Sequence, residues 1–451
     1  MTLREENARL RQENEALRGE VSRLMEQVAE LAAALAATDK KTKPPAFVKA
    51  NKAKPAQKKK RKKRAAEHNR GRRQEEPTRH ESHRLVACPD CGHELAKQKE
   101  SYRRQVVDII EPAPVEVVEH RVEAGWCPQC RCWQRPVVNF ATGQGQGRLG
   151  VRIRGLVGYL RSVLRLPYRQ IQQYLATVHR LKVSVGELVN LNRQLAMTSA
   201  AERNGLLAEA RGSPHLHMDE TGWREDGQNG YIWCLVTDEP QAVRYYEYHQ
   251  SRAGRVAGAM LGEEFRGVLV TDFYGGYNQY EGRHQRCWVH LLRDLATLRE
   301  EQWDDAAIVA WCVGVKNLYH EARQLAQADL SAADRQAMVT HLVEMTRQFG
   351  LLYAQEAHAC RPLAKRLIRH MTELYQFVSQ PTLSADNNLA ERALRPLVVQ
   401  RKVSGGSRSA LGSQTQMQLA TLFQTWLARG LNPLLECWRL LGYEPAWAIP
   451  Q

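Results

Sequence analysis

Long apolar runs are absent from this sequence of 451 residues, and charged side chains begin at Arg4. A helix that spans a bilayer needs about 20 consecutive apolar residues, and a signal peptide needs an apolar core behind a short basic segment. We therefore expect no membrane anchor, no secretory leader and no membrane partner. The sequence predicts a soluble, cytoplasmic protein.

Cysteine is too scarce for a disulfide scaffold, since the whole chain contains ten. Small secreted domains held by disulfides are much denser in cysteine. Four of the ten form two Cys-x-x-Cys pairs, in "CPDCG" at 88–92 and "CPQC" at 127–130. In a reducing cytosol, such pairs are typical of metal ligands.

A basic excess is missing from most of the chain, although the formal net charge is +16. Residues 40–73 hold sixteen Lys and Arg against one acid, Glu67, and so carry +15 of that charge. Clustered cations release the counterions condensed on DNA, which favours binding without sequence readout. We predict a disordered basic arm over residues 39–80, a solvated linker whose DNA-binding side chains are Lys58, Lys59, Lys60, Arg61, Lys62, Lys63 and Arg64.

The N-terminal segment carries a heptad pattern. Leucines recur every seven residues from Leu3 to Leu31, and the second seam position is Asn at residues 7 and 14. Seam asparagines favour two strands in register, and the flanking Glu and Arg residues attract across a parallel pair. The pattern predicts a parallel dimeric coiled coil over residues 1–38, with a long surface helix as the alternative.

The two cysteine pairs bracket a module that we place at residues 81–140. Strand-like runs, "YRRQVVDII" and "VEVVEHRV", lie between the pairs, and a hairpin there would bring the thiolates together. Four thiolates satisfy tetrahedral Zn²⁺ and leave no open position for chemistry. We expect a structural zinc ion on Cys88, Cys91, Cys127 and Cys130. Redox-active or incidental cysteines are the alternative, and Arg131 replaces the glycine expected after the second pair.

The remaining chain changes from helices to strands and back. Residues 145–205 read as helices, either a helix-turn-helix with residues 184–194 in a major groove or ordinary helical packing. Residues 210–290 read as three strands, a helix, a strand, then a strand and a helix, which is the element order of an RNase H-like core. A helical insertion at 291–380, a core helix with a basic loop at 381–410, and a C-terminal helical domain at 411–451 follow. The fold class is multidomain α+β.

Three acidic residues between positions 210 and 410 are candidate ligands of a divalent metal ion. Asp219 and Asp272 each end an apolar strand in the sequence, and Glu391 lies on a later helix with Asn388 and Arg395 on the same face. Carboxylates that converge repel unless cations neutralise them, and oxygen-rich sites of this kind suit Mg²⁺ or Mn²⁺. Taken singly, each aspartate also fits a turn former, and Glu391 also fits an ion pair with Arg395.

A basic run surrounds Glu391. We predict that its members bind DNA backbone, and we assign Asp386 to capping the helix rather than to metal binding. Glu220 is excluded as a ligand, because it points to the opposite face of its strand from Asp219. The predicted DNA-binding side chains of this run are Arg392, Arg395, Arg401, Lys402 and Arg408.

Four blocks of the sequence, "HMDETGWR", "GVLVTDFYGGYN", "QRCWVHLLRDL" and "ADNNLAERALRPLVVQRKVSGGSRS", resemble the insertion-sequence 66 family of bacterial transposases. The resemblance covers nearly the whole chain. It implies an RNase H-like fold with a catalytic triad of Asp219, Asp272 and Glu391 and two Mg²⁺ or Mn²⁺ ions per active site. It also implies a bacterial, nucleoid-associated enzyme acting on transposon ends with terminal inverted repeats and on target DNA.

The resemblance further suggests a homodimer or higher oligomer and accessory proteins of the same element. Two alternatives stay open: a non-catalytic DNA-binding regulator derived from a transposase, and a nuclease without strand transfer. The roles of three residues near the triad are also open. Cys287 and His290 fit a zinc pair, an orienting pair or a buried structural pair, and Trp223 fits either stacking on an unpaired base or packing on the sheet.

Overall fold

The computed structural model describes residues 76–94 except 78, 82, 84 and 86, residues 115–136, and residues 148–446 except 239 and 356. The predicted coiled coil and the basic side chains at 58–64 lie outside the described residues, as does the run "YRRQVVDII". The chain divides into two compact units, Met1–Ile109 and Ile110–Gln451.

In the first unit, the described residues form one tight turn around the first cysteine pair. The Cys88 amide donates to the His93 carbonyl at 2.8 Å, and the Gly92 amide donates to the Cys88 carbonyl at 2.9 Å. Gly92 has φ +77°, a left-handed conformation that glycine adopts without steric cost. The turn therefore has the compact form that a Cys-x-x-Cys pair needs to present both thiols together.

In the second unit, the second cysteine pair closes a hairpin of strands β1 (Gly125–Cys127) and β2 (Cys132–Gln134). Residues 115–124 before it form neither helix nor strand. The predicted strand "VEVVEHRV" is therefore wrong. Nine of those ten residues are exposed, so the alternating side chains bury no common face.

Four helices follow: α1 (Val151–Ser162), α2 (Tyr168–Val178), α3 (Val185–Thr198) and α4 (Ala200–Arg211). Ser184 begins α3 by accepting the Glu187 amide at 3.1 Å, which satisfies one of the free amides of the first turn. The leucines of α1, α2 and α3 bury against one another. The predicted helix, turn and helix are therefore present, packed through one apolar face.

A five-stranded sheet occupies the middle of the second unit. Its strands are β3 (His215–Glu225), β4 (Gln228–Val236), β5 (Arg244–His249), β6 (Val268–Thr271) and β7 (His284–Arg286), in the order β5-β4-β3-β6-β7. Strands β3, β4 and β5 are antiparallel neighbours, whereas β6 runs parallel to both β3 and β7. Helix α5 (Gly254–Leu261) connects β5 to β6.

Strand β3 is longer than the sequence suggests. The expectation that Asp219 ends its strand is wrong, because β3 continues to Glu225 and joins β4 through a two-residue turn. Asp226 and Gly227 both have positive φ, +49° and +77°, which is the backbone that a two-residue hairpin requires and an Asp-Gly pair favours. Pairing with β6, by contrast, stops at His217.

The rest of the chain is helical. Helices α6 (Trp288–Glu301), α7 (Ala306–Gln327), α8 (Ala332–Tyr353), α9 (Arg361–His370) and α10 (Gln376–Ser379) surround one apolar core with β6. Helices α11 (Asn388–Ser404), α12 (Ala410–Ala428) and α13 (Pro433–Leu440) follow. No helix among the described residues is both long and apolar enough to cross a bilayer.

Helix α11 lies against one face of the sheet. Its residues Ala390, Leu394 and Leu397 share a buried core with Ile232 and Cys234 of β4. Directly paired residues of antiparallel strands point to the same face, and Asp219 pairs with Cys234. Asp219 therefore points to the face that α11 covers, whereas Glu220 points to the other.

Candidate active site

The sheet brings the two aspartates to one edge. In the parallel pair β3 and β6, His217 is opposite Val270, and continuing that register by two residues places Asp219 opposite Asp272. Neighbouring strands lie about 4.8 Å apart. Asp272 follows directly on the last residue of β6, and its Oδ1 accepts the Tyr274 amide at 2.9 Å.

Asn387 brings Glu391 to the same edge. It is fully buried, and its Nδ2 donates to the carbonyl of Met218 at 2.8 Å, one residue before Asp219. Its Oδ1 lies 3.2 Å from Nδ1 of His217. The Glu391 amide donates to the Asn387 carbonyl at 3.2 Å, so the first turn of α11 is fixed to β3.

Cys287 and His290 also contact the first turn of α11. The Sγ of Cys287, which is buried, accepts the Asn387 amide at 3.2 Å, and Nε2 of His290 lies 3.6 Å from Oε1 of Glu391. Both residues of the pair therefore contact the first turn of α11.

The three acids interact electrostatically. Burial and the charges of Glu220, Asp272 and Glu391 together raise the pKa of Asp219 to about 8, although the Glu220 amide lowers it by donating to Oδ1 of Asp219. Like charges disfavour ionisation of one another. The charges of Asp272 and Glu391 therefore act on Asp219, although Glu391 lies far along the chain from it.

The chemistry of the acids fits a divalent cation. The Oε1 atom of Glu391 is buried without a hydrogen-bond partner, and a buried oxygen in that condition is costly unless a donor or a cation reaches it. In the part of the chain that the structure describes, no three His, Cys, Asp or Glu side chains are grouped closely enough to hold a single ion. Asp219 and Asp272 instead accept neighbouring backbone amides.

Glu220 lies on the face of the sheet opposite to Asp219, which agrees with its exclusion as a metal ligand. Its Oε1 accepts from Nε of Arg252 at 2.7 Å, and Tyr277 donates its hydroxyl to Oε2. Both oxygens of this carboxylate are thus engaged by protein donors.

Trp223 and Arg401, two residues considered for DNA contact, both bond to protein groups in the structure. Trp223 is only 2% exposed and donates its Nε1–H to Ser407 at 3.2 Å, so it packs in the core rather than stacking on a base. Arg401 is half-buried and donates to the carbonyl of Gly222. This hydrogen bond connects the end of α11 to β3.

The glycine-rich loop also approaches protein rather than an open groove. The Ser407 amide donates to the Arg224 carbonyl, and the Asp226 amide donates to the Ser407 carbonyl, both at 2.8 Å. A Cβ on Gly406 would meet the Arg224 carbonyl at 2.1 Å. The remaining predicted side chains of the basic run are exposed, namely Arg392, Arg395, Lys402 and Arg408.

Asp386 and Asn388 lie at the start of α11. Oδ1 of Asp386 accepts the Asn388 amide at 3.0 Å, a capping contact, but the N-cap position is that of Asn387, one residue later than predicted. Asn388, which the sequence places on the same face as Glu391, is the first residue of α11 and is half-buried.

Arg286 is a residue that the sequence did not reveal. It is 1% exposed, and its Nη1 donates to the hydroxyl of Thr271 at 3.1 Å and to the carbonyl of Asp272 at 3.0 Å. Its Nε donates to Glu373 at 2.5 Å. This guanidinium connects the end of β6 to the helical insertion; a lone arginine in a short strand gave no signal of that contact.

The cysteine pairs have the local geometry of metal-binding turns. Hydrogen bonds from the backbone of Asp90 and Cys91 lower the pKa of Cys88, and those of Cys130 and Gln129 lower the pKa of Cys127. The deprotonated thiolate is the form that binds a metal. Arg131, which replaces the expected glycine, adopts φ +52°, so the second turn keeps the left-handed residue despite the substitution.

Two family models match this sequence. The model described as "Transposase IS66 family" matches residues 146–415, which is more than half of the chain. The model described as "zinc-finger binding domain of transposase IS66" matches residues 87–131. The second match includes all four cysteines of the two pairs.

Two curated proteins are similar to parts of this chain. The uncharacterized protein y4qI of Sinorhizobium fredii is 26% identical over 229 residues, 45% of this chain and 42% of that protein. The uncharacterized protein y4jD of the same organism is 26% identical over 256 residues, 51% of this chain and 50% of that protein. The chain thus spans about half the length of the curated relatives it matches.

Proposed function

The chain belongs to the transposase IS66 family, and on that premise we propose that it is a metal-dependent DNA transposase. It would cleave the ends of an insertion sequence and join the freed 3′ ends to target DNA. The observation that carries the proposal is geometric: the register of β3 and β6 places Asp219 opposite Asp272, and Asn387 bonds the start of the helix that carries Glu391 to β3. The order of strands and helices supports an RNase H-like core.

Asp219, Asp272 and Glu391 would hold two Mg²⁺ or Mn²⁺ ions, with Asp219 common to both. The buried Oε1 of Glu391, which has no hydrogen-bond partner, supports the proposal that a cation reaches this acid. When bound, such ions activate a water or a 3′-hydroxyl as the nucleophile and stabilise the departing oxygen.

The contribution of the protein itself is position. The sheet register fixes the two aspartates, Asn387 fixes Glu391 to β3, and His290 lies beside Glu391. In the cleavage step, water displaces the 3′ oxygen of the transposon end. In the joining step, that 3′-hydroxyl attacks a target phosphate, so one phosphodiester bond forms as another breaks and no external energy source is needed.

DNA contacts in this proposal come from two regions. The exposed Arg392, Arg395, Lys402 and Arg408 of the second unit would bind phosphates near the acids. The basic arm would add non-specific affinity, and the coiled coil would pair two chains so that two element ends are processed together. The four cysteines would hold a structural zinc ion, a proposal supported by their spacing and by the zinc-finger match.

The test uses DNA flanking the coding region in its genome, where inverted repeats would mark the element ends. Purified full-length protein is incubated with labelled end DNA and Mg²⁺, and separately with pre-cut ends and a plasmid. Asp272→Asn should reduce cleavage by about 10³-fold, since a metal ligand supplies several kcal/mol of transition-state stabilisation, while end binding stays unchanged. Asp304→Asn, at an exposed loop acid, is the matched control.

Retained cleavage by Asp272→Asn would exclude the assigned triad. Nicked plasmid without joined product would leave a nuclease rather than a transposase. End binding without any cleavage by the unmodified chain would indicate the non-catalytic DNA-binding regulator.

A further inference from the structure

The hairpin of the second cysteine pair exposes two tryptophans. Trp126 is 52% exposed and Trp133 is 64% exposed. Large apolar side chains rarely remain this open in pairs unless they meet a partner. Trp303, which is 78% exposed, is also open but stands in a loop between α6 and α7.

The two indoles form one surface. Trp126 and Trp133 are directly opposite in the register of β1 and β2, and their ring centroids are 5.9 Å apart at an interplanar angle of 67°. Because side chains alternate along a strand, both rings lie on the face opposite to Cys127. A metal ion bound by Cys127 would therefore lie on the other face of the hairpin from the two indoles.

The charge around the pair selects the class of partner. Residues 125–136 contain two basic side chains, Arg131 and Arg135, and no acid, and both arginines are exposed. Aromatic side chains beside cations are the arrangement with which proteins bind unpaired nucleotides, since every base has a π-face and every nucleotide a phosphate. Paired bases inside a duplex keep those faces stacked on one another.

We propose that Trp126 and Trp133 form a stacking platform for unpaired bases at the cleaved transposon end. The inference rests on the proposed function, because a strand break at the transposon end leaves terminal base pairs, which open more readily than internal ones. Arg131 and Arg135 bind the phosphates of the same nucleotides. The platform holds the bases that open at the end after cleavage.

The test measures binding rather than catalysis. Fluorescein-labelled end DNA is titrated with the full chain in the absence of divalent ions, as a blunt duplex and as a duplex with a short unpaired extension. Stacking is worth about 1–3 kcal/mol per base. The double variant Trp126→Ala with Trp133→Ala should therefore bind the extended DNA about 10-fold to 100-fold more weakly than the unmodified chain, and the blunt duplex within about 2-fold.

Two controls separate stacking from folding. Replacing both residues by Phe should restore most of the affinity, since Phe retains a stacking ring, and Trp303→Ala should change neither affinity. Zinc content and the oligomeric mass of each variant are measured alongside.

Equal affinity of the Ala variant for the extended DNA would overturn the proposal. An equal loss on both DNAs, failure of Phe to restore binding, or a change of oligomeric mass would also overturn it, the last because the indoles would then face another copy of the chain. These outcomes do not depend on cleavage. A protein that binds extended DNA through the platform but cleaves nothing would contradict the proposed function alone.

Discussion

At the scale of the residue, Asn387 has the largest number of consequences for the site. It joins the start of α11 to Met218, His217 and Cys287 through one buried side chain and its amide. Since Nδ2 of Asn387 donates to Met218, its Oδ1 is an acceptor, and Nδ1 of His217 must carry the proton between them. The position of Glu391 therefore depends on an amide that has no role in chemistry.

We expect Asn387→Ala to lower cleavage by about 10²-fold, because a displacement of about 1 Å at a catalytic group has that effect. The Mg²⁺ concentration that gives half-maximal cleavage should rise, and end binding should stay unchanged. Asn317→Ala, at an exposed position of α7, should behave like the unmodified chain. An unaltered Mg²⁺ dependence in the Asn387 variant would show that this residue does not position Glu391.

The sequence predicted the three acids of the site but not the residues that position them. A carboxylate after an apolar strand leaves a pattern in the sequence, and so does an acid on a polar helix face. Asn387 bonds to Met218, which lies 169 positions earlier in the sequence. Arg286 bonds to Thr271 and Asp272, which lie 15 and 14 positions earlier. No local sequence pattern encodes contacts of this kind. Trp223 was ambiguous for the same reason, because its burial depends on the loop at Ser407.

At the scale of the element, strand β7 connects the sheet to the helical insertion. Arg286 at its end bonds to Glu373, and His370 lies 3.1 Å from the same carboxylate. Burial alone would raise the pKa of Glu373, but the hydrogen bonds from His370 and Arg286 lower it to about 2. The carboxylate is therefore stabilised in its charged form by the fold.

This contact predicts a pH dependence of stability. A depressed pKa in the folded state adds stability above the unfolded pKa of about 4.3 and loses it as the pH falls toward the folded value. Glu373→Gln should lower the free energy of unfolding by about 2 kcal/mol at neutral pH, the scale of a hydrogen-bonded charge. The difference from the unmodified chain should close between about pH 4 and pH 2.

Urea denaturation followed by tryptophan fluorescence at several pH values measures that difference. Glu301→Gln, at the exposed end of α6, is the control and should show none. A deficit that stays constant down to pH 2.5 would contradict the assigned ion pair.

The secondary-structure elements were predicted correctly where the apolar periodicity of the sequence is clear. The strands and helices from His215 to Glu301 follow the predicted order, because their apolar periods are clear. The length of β3 differs from the prediction, because the chain turns at Asp226-Gly227 and not at the acid at 219. The strand expected at 115–122 is wrong, because its alternating apolar side chains are exposed and bury no common face.

At the scale of the whole molecule, the proposed zinc ion predicts metal content. The purified chain should contain one zinc per polypeptide by mass spectrometry of metals, and Cys127→Ser should abolish it. Cys132→Ser is the matched control, because Cys132 lies opposite Cys127 in the hairpin register but outside both Cys-x-x-Cys pairs. Loss of zinc from both variants alike, or its absence from the unmodified chain, would refute the ligand assignment.

The molecule as a whole is proposed to work through two acids on a sheet and one on a helix that share divalent ions. Titration of Mn²⁺ into the full chain bound to uncleaved end DNA, followed by electron paramagnetic resonance, tests this claim most directly. Asp219→Asn should remove two bound ions, whereas Asp272→Asn and Glu391→Gln should each remove one. Unchanged Mn²⁺ binding in all three variants would contradict the account.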